Sequence, residues 1–244
     1  MMKKVLFLLL LVGSICGCHR PLRVLESSGE ILMVDSTLDA IQDSAYLGYI
    51  TPIKADLERE LNVVIGYAPN RLPVHQPECS MLNWASDALF YMAQDRCPNK
   101  VDMVAVNIDG MRTDWAAGDI TRRHIFELMP FDNELVVLTM RGDEILNLCD
   151  AFIRWGGQGV AGLRLKARNG KLISATIDGK EIVPSAYYTV ATSDYLSQGN
   201  DGMVPLKNHL SVWRSEEKIR DLYIEYVERT KTVSAEVDGR MDIQ

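Results

Sequence analysis

The spacing of apolar residues along the chain changes near its middle. In the first part, segments with apolar side chains at helical spacing alternate with short β-branched runs that are typical of buried strands. Ser80 is the predicted N-cap of the second helix. Helices are predicted over 38–61, with an interruption at Pro52, and over 81–92, 121–129 and 142–155. Strands are predicted over 62–68, 101–106 and 134–140.

Hairpins dominate the second part. Residues 163–168 and 172–177 alternate apolar with polar side chains on either side of Asn169-Gly170, and Asp178-Gly179 supplies another turn. A further strand is predicted over 187–192, a glycine-rich loop over 197–202 and a closing helix over 216–229. This order of elements predicts one α+β domain on a mixed sheet, with flanking helices and antiparallel hairpins.

The first residues have the pattern of a targeting sequence. Lys3 and Lys4 precede an apolar run over 5–12, which is too short to span a membrane. The run ends in Ile-Cys-Gly-Cys at 15–18, which resembles a bacterial lipobox. The resemblance implies cleavage before Cys18 and attachment of lipid to that cysteine. The alternative is an ordinary signal peptide followed by a free or disulfide-bonded cysteine.

The lipobox sets the expected layout of the chain and its location. We expect an extracytoplasmic protein that is lipid-anchored to a membrane, in the periplasm or at the cell surface. The expected segments are a signal peptide over 1–17, a tether over 18–36, one domain over 37–232 and a tail over 233–244.

Composition and charge narrow the classes of function. The 244 residues are 47% hydrophobic and 24% charged, which is ordinary for a soluble globular protein. A net charge of −7 repels phosphate polyanions and argues against binding of DNA or RNA. The odd number of cysteines that follow Cys18 leaves the pairing open, as either one disulfide or free thiols: Cys79, Cys97 and Cys149.

Three loops combine turn residues with recognition side chains. Asn107 leaves a predicted strand and is followed by a glycine and by Arg112, whose guanidinium is a fixed fork for phosphate. Phe131 follows a proline after the third helix, and Tyr195 precedes a glycine-rich turn that carries Asp201. Each loop taken singly is better explained as an ordinary turn or a core aromatic, but their order and spacing form a pattern.

That pattern resembles the C-terminal domain of the 5′-nucleotidase family. The family has Asn-Gly-Gly-x-Arg, then Pro-Phe-x-Asn, then Phe-x-x-x-Gly-Gly-Asp-Gly, and the likeness extends from about residue 38 to 205. The resemblance implies that Phe131 and Tyr195 sandwich a nucleobase and that Asn107 contacts it. It also implies that Arg112 binds the phosphate and Asp201 the ribose hydroxyls. Stacking suits this role because it contributes about 1–3 kcal/mol per base and tolerates different bases.

The chain departs from the family pattern at the phosphate end of this site. Asp109 stands where the family generally has glycine, and its charge would weaken phosphate binding at Arg112. The family often has a further arginine upstream, but residues 73–77 contain none and only Arg71 is near. Tyr195 replaces the usual phenylalanine and adds a hydroxyl.

The residues for hydrolysis by the family mechanism are not recognisable in the sequence. That mechanism uses a two-metal site in a metallophosphoesterase domain, whereas none of the four histidines of this chain occurs in the family's motifs: His19, His75, His124 and His209. We therefore expect no metal site, cofactor or activity in this chain alone. We expect divalent metals only in a partner metallophosphoesterase chain, with which it would form a split 5′-nucleotidase that acts in nucleotide catabolism.

Two alternatives remain beside the split enzyme. The chain could be a non-catalytic lipoprotein that binds nucleosides for uptake, or a remnant that binds no ligand. The base, the number of phosphates and the choice among nucleotide, UDP-sugar and cyclic nucleotide also stay open.

Overall fold

The computed structural model describes residues 24, 26–40 and 43–244. The expected signal peptide, Cys18 and the first part of the expected tether lie outside the described residues. The chain divides into two compact units, Met1–Tyr49 and Ile50–Gln244. In the first unit, residues 26–35 are exposed and contain no helix or strand, and a short 3₁₀ helix follows at Ser36–Ala40.

The helices agree with the predicted positions in most cases. Pro52 does not interrupt the first helix. The helix is continuous over Ser44–Leu61 and contains this proline. The described α-helices are α1 (Ser44–Leu61), α2 (Ser80–Arg96), α3 (Arg122–Leu128), α4 (Gly142–Arg154), α5 (Asp194–Ser197) and α6 (Ile219–Thr230).

The N-cap of α2 is one residue earlier than predicted. Cys79 has extended backbone angles, and its sulfur accepts a hydrogen bond from the amide of Leu82 at 3.4 Å. Ser80 is therefore the first helical residue rather than the cap.

The strands form three sheets with mixed pairing, which confirms the predicted α+β class. A two-stranded sheet pairs β1 with β3, a five-stranded sheet has the order β10-β4-β9-β2-β5, and a four-stranded sheet has the order β11-β6-β7-β8. The strands are β1 (Val64–Ala68), β2 (Met103–Val106), β3 (Gly118–Thr121), β4 (Glu134–Arg141), β5 (Gly159–Ala161), β6 (Leu163–Arg168), β7 (Lys171–Ile177), β8 (Lys180–Glu181), β9 (Tyr187–Ser193), β10 (Ser211–Lys218) and β11 (Met241–Ile243).

The five-stranded sheet is buried on both faces except at its edge strand β10, which has no buried residue. Along β4, Leu135 and Val137 point into one apolar cluster, whereas Val136, Leu138 and Met140 point into the other. This alternation follows from the two-residue repeat of a strand. The first cluster includes side chains of α2, α3 and α6, and the second includes those of α4 and the hairpin β6–β7.

Two strands near the C-terminus were not predicted. The closing helix begins at Ile219 rather than near residue 216, because Ser211–Lys218 forms the edge strand β10 beside β4. Met241–Ile243 pairs in parallel with β6, so part of the predicted tail is a strand of the four-stranded sheet.

Candidate functional site

Three chain segments meet at one end of the five-stranded sheet. Strands β2 and β9 run in parallel and therefore end at the same edge. Strand β4 is antiparallel to β9, with Leu135 opposite Ser193, so β4 begins at that edge. The segments after β2, before β4 and after β9 are the three loops that the sequence singled out.

A cavity of about 260 Å³ lies between these loops. The five residues predicted to bind substrate all line it, together with Asp109, Gly110 and Asn133. The lining residues are Asn107, Asp109, Gly110, Arg112, Phe131, Asn133, Tyr195 and Asp201. The structure thus brings the predicted residues together, although their separate roles remain predictions.

A hydrogen-bonded triplet forms one wall of the cavity. The Asp201 carboxylate accepts from Asn107 Nδ2 at 2.6 Å and from the Tyr195 hydroxyl at 2.9 Å. The hydrogen bond to Asp201 raises the pKa of the Tyr195 phenol, as do desolvation and the charges of Asp201 and Asp109. The phenol therefore stays protonated at neutral pH and acts as a donor, which fixes the orientation of the carboxylate.

Backbone conformation places Asp201 at this position. Asp201 has a φ of 50° and Gly202 a φ of +72°, so both residues are in the left-handed region. A Cβ on Gly202 would lie 1.8 Å from Nε1 of Trp155. Glycine is therefore required at residue 202 both by the turn and by the close approach of the indole.

Arg112 also lines the cavity and lies beside Phe131. The guanidinium carbon of Arg112 is 5.9 Å from the centre of the Phe131 ring, and its Nη1 donates to the backbone oxygen of Asp109 at 3.2 Å. Because the guanidinium has five donors, most of them remain available to a ligand.

Ion pairs and a backbone hydrogen bond hold the loop that contains Phe131 and Asp132. Arg220 is largely buried and donates to the backbone oxygen of Phe131 at 3.3 Å and to the Asp132 carboxylate at 2.6 Å. Lys218 also pairs with Asp132 at 3.0 Å. Hydrogen bonds from Lys218 and Arg220 lower the pKa of Asp132, so the carboxylate stays ionised and the loop stays attached.

Gln158 supports the Asn107 loop and was missed in the sequence. Its Oε1 accepts from the backbone amide of Ile108 at 2.8 Å, and the side chain is buried. It stands just before β5, which pairs with β2. A lone glutamine between two glycines forms no recognisable motif, so only the fold reveals this contact.

The upstream segment contributes no positive charge to the cavity. Arg71 forms an ion pair with Asp114 and does not line the cavity. Val74, from the stretch that lacks the family's arginine, lines an adjacent cavity of about 310 Å³. That cavity shares Asp109 and Arg112 with the first.

Metal ligands do not cluster in the part of the chain that the structure describes, since no group of three or more His, Cys, Asp or Glu could hold an ion there. His124 completes the capping box of α3 with Thr121, and His209 faces the backbone oxygen of Leu206. Within the same residues, no helix is long and apolar enough to cross a bilayer.

The three cysteines of the domain are part of its packed interior. Within the described residues, Cys79, Cys97 and Cys149 are free and buried, so none of these three forms a disulfide with another. Burial raises the pKa of the Cys149 thiol to about 12, so this thiol is not a nucleophile at neutral pH.

One family model matches the part of the chain that contains the site. The model of the family described as 5′-nucleotidase, C-terminal domain, matches residues 64–208. These residues contain all five side chains that the sequence predicted to bind substrate.

Curated relatives and solved structures agree with this match. The chain is 24% identical over 189 residues to a 5′-nucleotidase of Vibrio cholerae, a match that covers 75% of this chain and 34% of the relative. It is 24% identical over 192 residues to protein UshA of Escherichia coli, covering 76% and 34%. The chain therefore spans about a third of the length of these relatives.

A solved structure has the same fold. The crystal structure of a 5′-nucleotidase precursor from Thermus thermophilus superposes with a TM-score of 0.71 at 23% identity. The superposition covers 82% of this chain and 42% of that chain.

Proposed function

The chain belongs to the family of 5′-nucleotidase C-terminal domains, and from this premise we propose that it recognises nucleosides or nucleotides in the cavity beside β2, β4 and β9. The observation that carries the proposal is the convergence of five side chains from three loops on one cavity of about 260 Å³. A pocket with apolar rings and a few oriented polar groups is the usual form of a small-molecule site.

The chemistry of the lining suggests a role for each side. Phe131 and Tyr195 offer flat faces to a base, and stacking would contribute about 1–3 kcal/mol per base. The Asp201 carboxylate is held by Asn107 and Tyr195 and retains lone pairs for sugar hydroxyls. Arg112 supplies a counter-charge for a phosphate at the other end.

We further propose that hydrolysis occurs in a separate metallophosphoesterase chain. This chain would then be the substrate-binding part of a split, extracytoplasmic 5′-nucleotidase, with the divalent metals held by the partner. The 5′-nucleotidase of Vibrio cholerae supports this proposal, because this chain matches only 34% of it. Anchoring through lipid on Cys18 would keep the complex at the membrane.

Titration calorimetry of the full chain with adenosine, AMP and UDP-glucose tests the recognition. We expect at least one of these ligands to bind with a dissociation constant between about 10 µM and 1 mM, since two rings and one arginine give modest affinity. Absence of binding by all of them, in a chain that unfolds cooperatively on heating, would contradict the proposal.

A nucleoside-binding lipoprotein without catalysis is the second candidate, and Asp109 beside Arg112 is the observation that favours it. Co-purification with a metallophosphoesterase, and appearance of AMP hydrolysis when the two chains are mixed, would decide for the split enzyme. Saturable adenosine binding without hydrolysis in that mixture would decide for the binding protein.

A further inference from the structure

The proposed ligand cavity contains more negative than positive side chains. Its charged lining residues in the described part of the chain are Asp109, Asp201 and Arg112. Two carboxylates against one guanidinium leave the lining with a formal charge of −1. The whole chain adds to this field, because its net charge is −7.

The two carboxylates differ in their surroundings. The Asp201 carboxylate accepts hydrogen bonds from Asn107 and Tyr195, and these bonds fix its orientation. Asp109 is exposed, and among the described residues its carboxylate has neither an ion-pair partner nor a side-chain hydrogen bond. Asp109 and Tyr195 line the same cavity, and the charge of Asp109 is the smallest of the contributions that raise the pKa of the Tyr195 phenol.

Asp109 is also placed where a phosphate would go. Asp109 and Arg112 are the two residues common to the site cavity and the adjacent cavity of about 310 Å³. A phosphate bound by Arg112, in either cavity, would therefore lie beside the Asp109 carboxylate. Arg71 offers no compensation, because it lines neither cavity and is paired with Asp114.

We propose that this pocket selects the uncharged nucleoside over the nucleotide, with Asp109 as the residue that disfavours the phosphate. This inference rests on the proposed nucleoside recognition and assigns the class of ligand that the site prefers. It favours the nucleoside-binding protein, the second candidate above, over the split enzyme. The base and sugar contacts are common to both ligands, so the discrimination arises at the phosphate alone. There the attraction of Arg112 is offset by the repulsion of Asp109.

Calorimetry with adenosine and AMP on the wild type and on Asp109→Asn tests this selectivity. We expect wild-type protein to bind AMP more weakly than adenosine. In Asp109→Asn, AMP affinity should rise about three- to tenfold, the size expected for one partly exposed charge. Adenosine affinity should change less than about twofold, because an uncharged ligand meets little of this repulsion.

Asp119→Asn is the matched control, because it makes the same change of charge at an exposed residue of β3 outside the cavity. It should leave both affinities unchanged. Tighter binding of AMP than of adenosine to the wild type, with no response to Asp109→Asn, would overturn the selectivity while leaving nucleoside recognition intact. Failure of both ligands to bind would overturn the recognition itself.

Discussion

Tyr195 combines a stacking face with a hydroxyl that orients the neighbouring carboxylate. If the ring faces the base, Tyr195→Ala should weaken adenosine binding by about 5- to 150-fold, which corresponds to the loss of about 1–3 kcal/mol of stacking. Tyr195→Phe keeps the ring and loses the hydrogen bond to Asp201. It should weaken binding less than about threefold. Calorimetry on both variants separates the two contributions.

Equal losses in Tyr195→Ala and Tyr195→Phe would assign the effect to the hydroxyl and not to stacking. The pH dependence gives a second check. Because the pKa of Tyr195 is raised from 10.0, the phenol stays protonated below about that pH and its bond to Asp201 persists. Adenosine affinity should therefore stay constant between about pH 7 and pH 9.

Gln158 acts on the ligand through the backbone of the Asn107 loop. In Gln158→Met the partly buried Ile108 amide loses its acceptor, and a fully buried unsatisfied donor costs about 1–3 kcal/mol. Removal of the buried Gln158 Nε2, which has no hydrogen-bond partner among the described residues, offsets part of this loss. We expect adenosine to bind about fivefold more weakly and the melting temperature to fall. Gln198→Met is the control, since it makes the same exchange at an exposed residue of the neighbouring loop. Unchanged affinity in Gln158→Met would remove Gln158 as a positioning residue.

The difference between Gln158 and the five predicted residues shows what the sequence can reveal about a site. Asn107, Phe131 and Asp201 were found because each belongs to a loop with turn residues in a recognisable order. Gln158 contacts Ile108, 50 positions away in the chain, so its role depends on the pairing of β5 with β2. A pairing of this kind is set by packing and not by local pattern.

Gly202 connects the site to the end of α4. An alanine there would have a φ of +72° and a Cβ 1.8 Å from Trp155 Nε1, so the indole must move or the turn must change. We expect Gly202→Ala to lower the melting temperature and to alter the near-UV circular dichroism of the tryptophans. It should also weaken adenosine binding, because Asp201 precedes the altered turn.

Gly179→Ala provides the comparison for Gly202→Ala. Gly179 has nearly the same backbone angle, a φ of +71°, but nothing lies within 4 Å of its Cβ position. The loss of unfolding free energy in Gly179→Ala therefore comes from the left-handed backbone alone and is about 1–2 kcal/mol. Equal shifts of melting temperature in the two variants would show that the indole adapts and that the contact with Trp155 does not constrain the turn.

Elements were predicted well where burial is strong and poorly at the edges of sheets. β4 is buried over most of its length and its apolar run was recognised, whereas β10 has no buried residue and ends in Glu216, Glu217 and Lys218. Charged residues directly before a helical pattern lead to a predicted helix that begins too early. For this reason α6 was predicted to begin near residue 216 instead of at Ile219. The pairing with β4 prevails there over the local preference.

On the scale of the whole molecule, the buried carboxylate of Glu78 joins the start of α2 to the C-terminal segment. Glu78 precedes α2 and is 7% exposed. Its oxygens accept from Asn83 Nδ2 at 2.7 Å and from the backbone amides of Asp238 at 2.9 Å, Gly239 at 3.2 Å and Met241 at 3.4 Å. These bonds hold β11 beside β6, so the C-terminal strand depends on a residue about 160 positions earlier.

Glu78→Gln replaces one acceptor oxygen by an NH₂ group that faces backbone donors. Since hydrogen bonds to a charged group contribute about 1.5–3 kcal/mol, we expect a loss of unfolding free energy of this order. Hydrogen exchange should accelerate at Asp238, Gly239 and Met241 first, because one acceptor oxygen instead of two remains for these three amides. Glu236→Gln is the control, as its exposed side chain makes none of these bonds. If the exchange of these amides is equally slow in both variants, backbone pairing with β6 alone holds the strand in place.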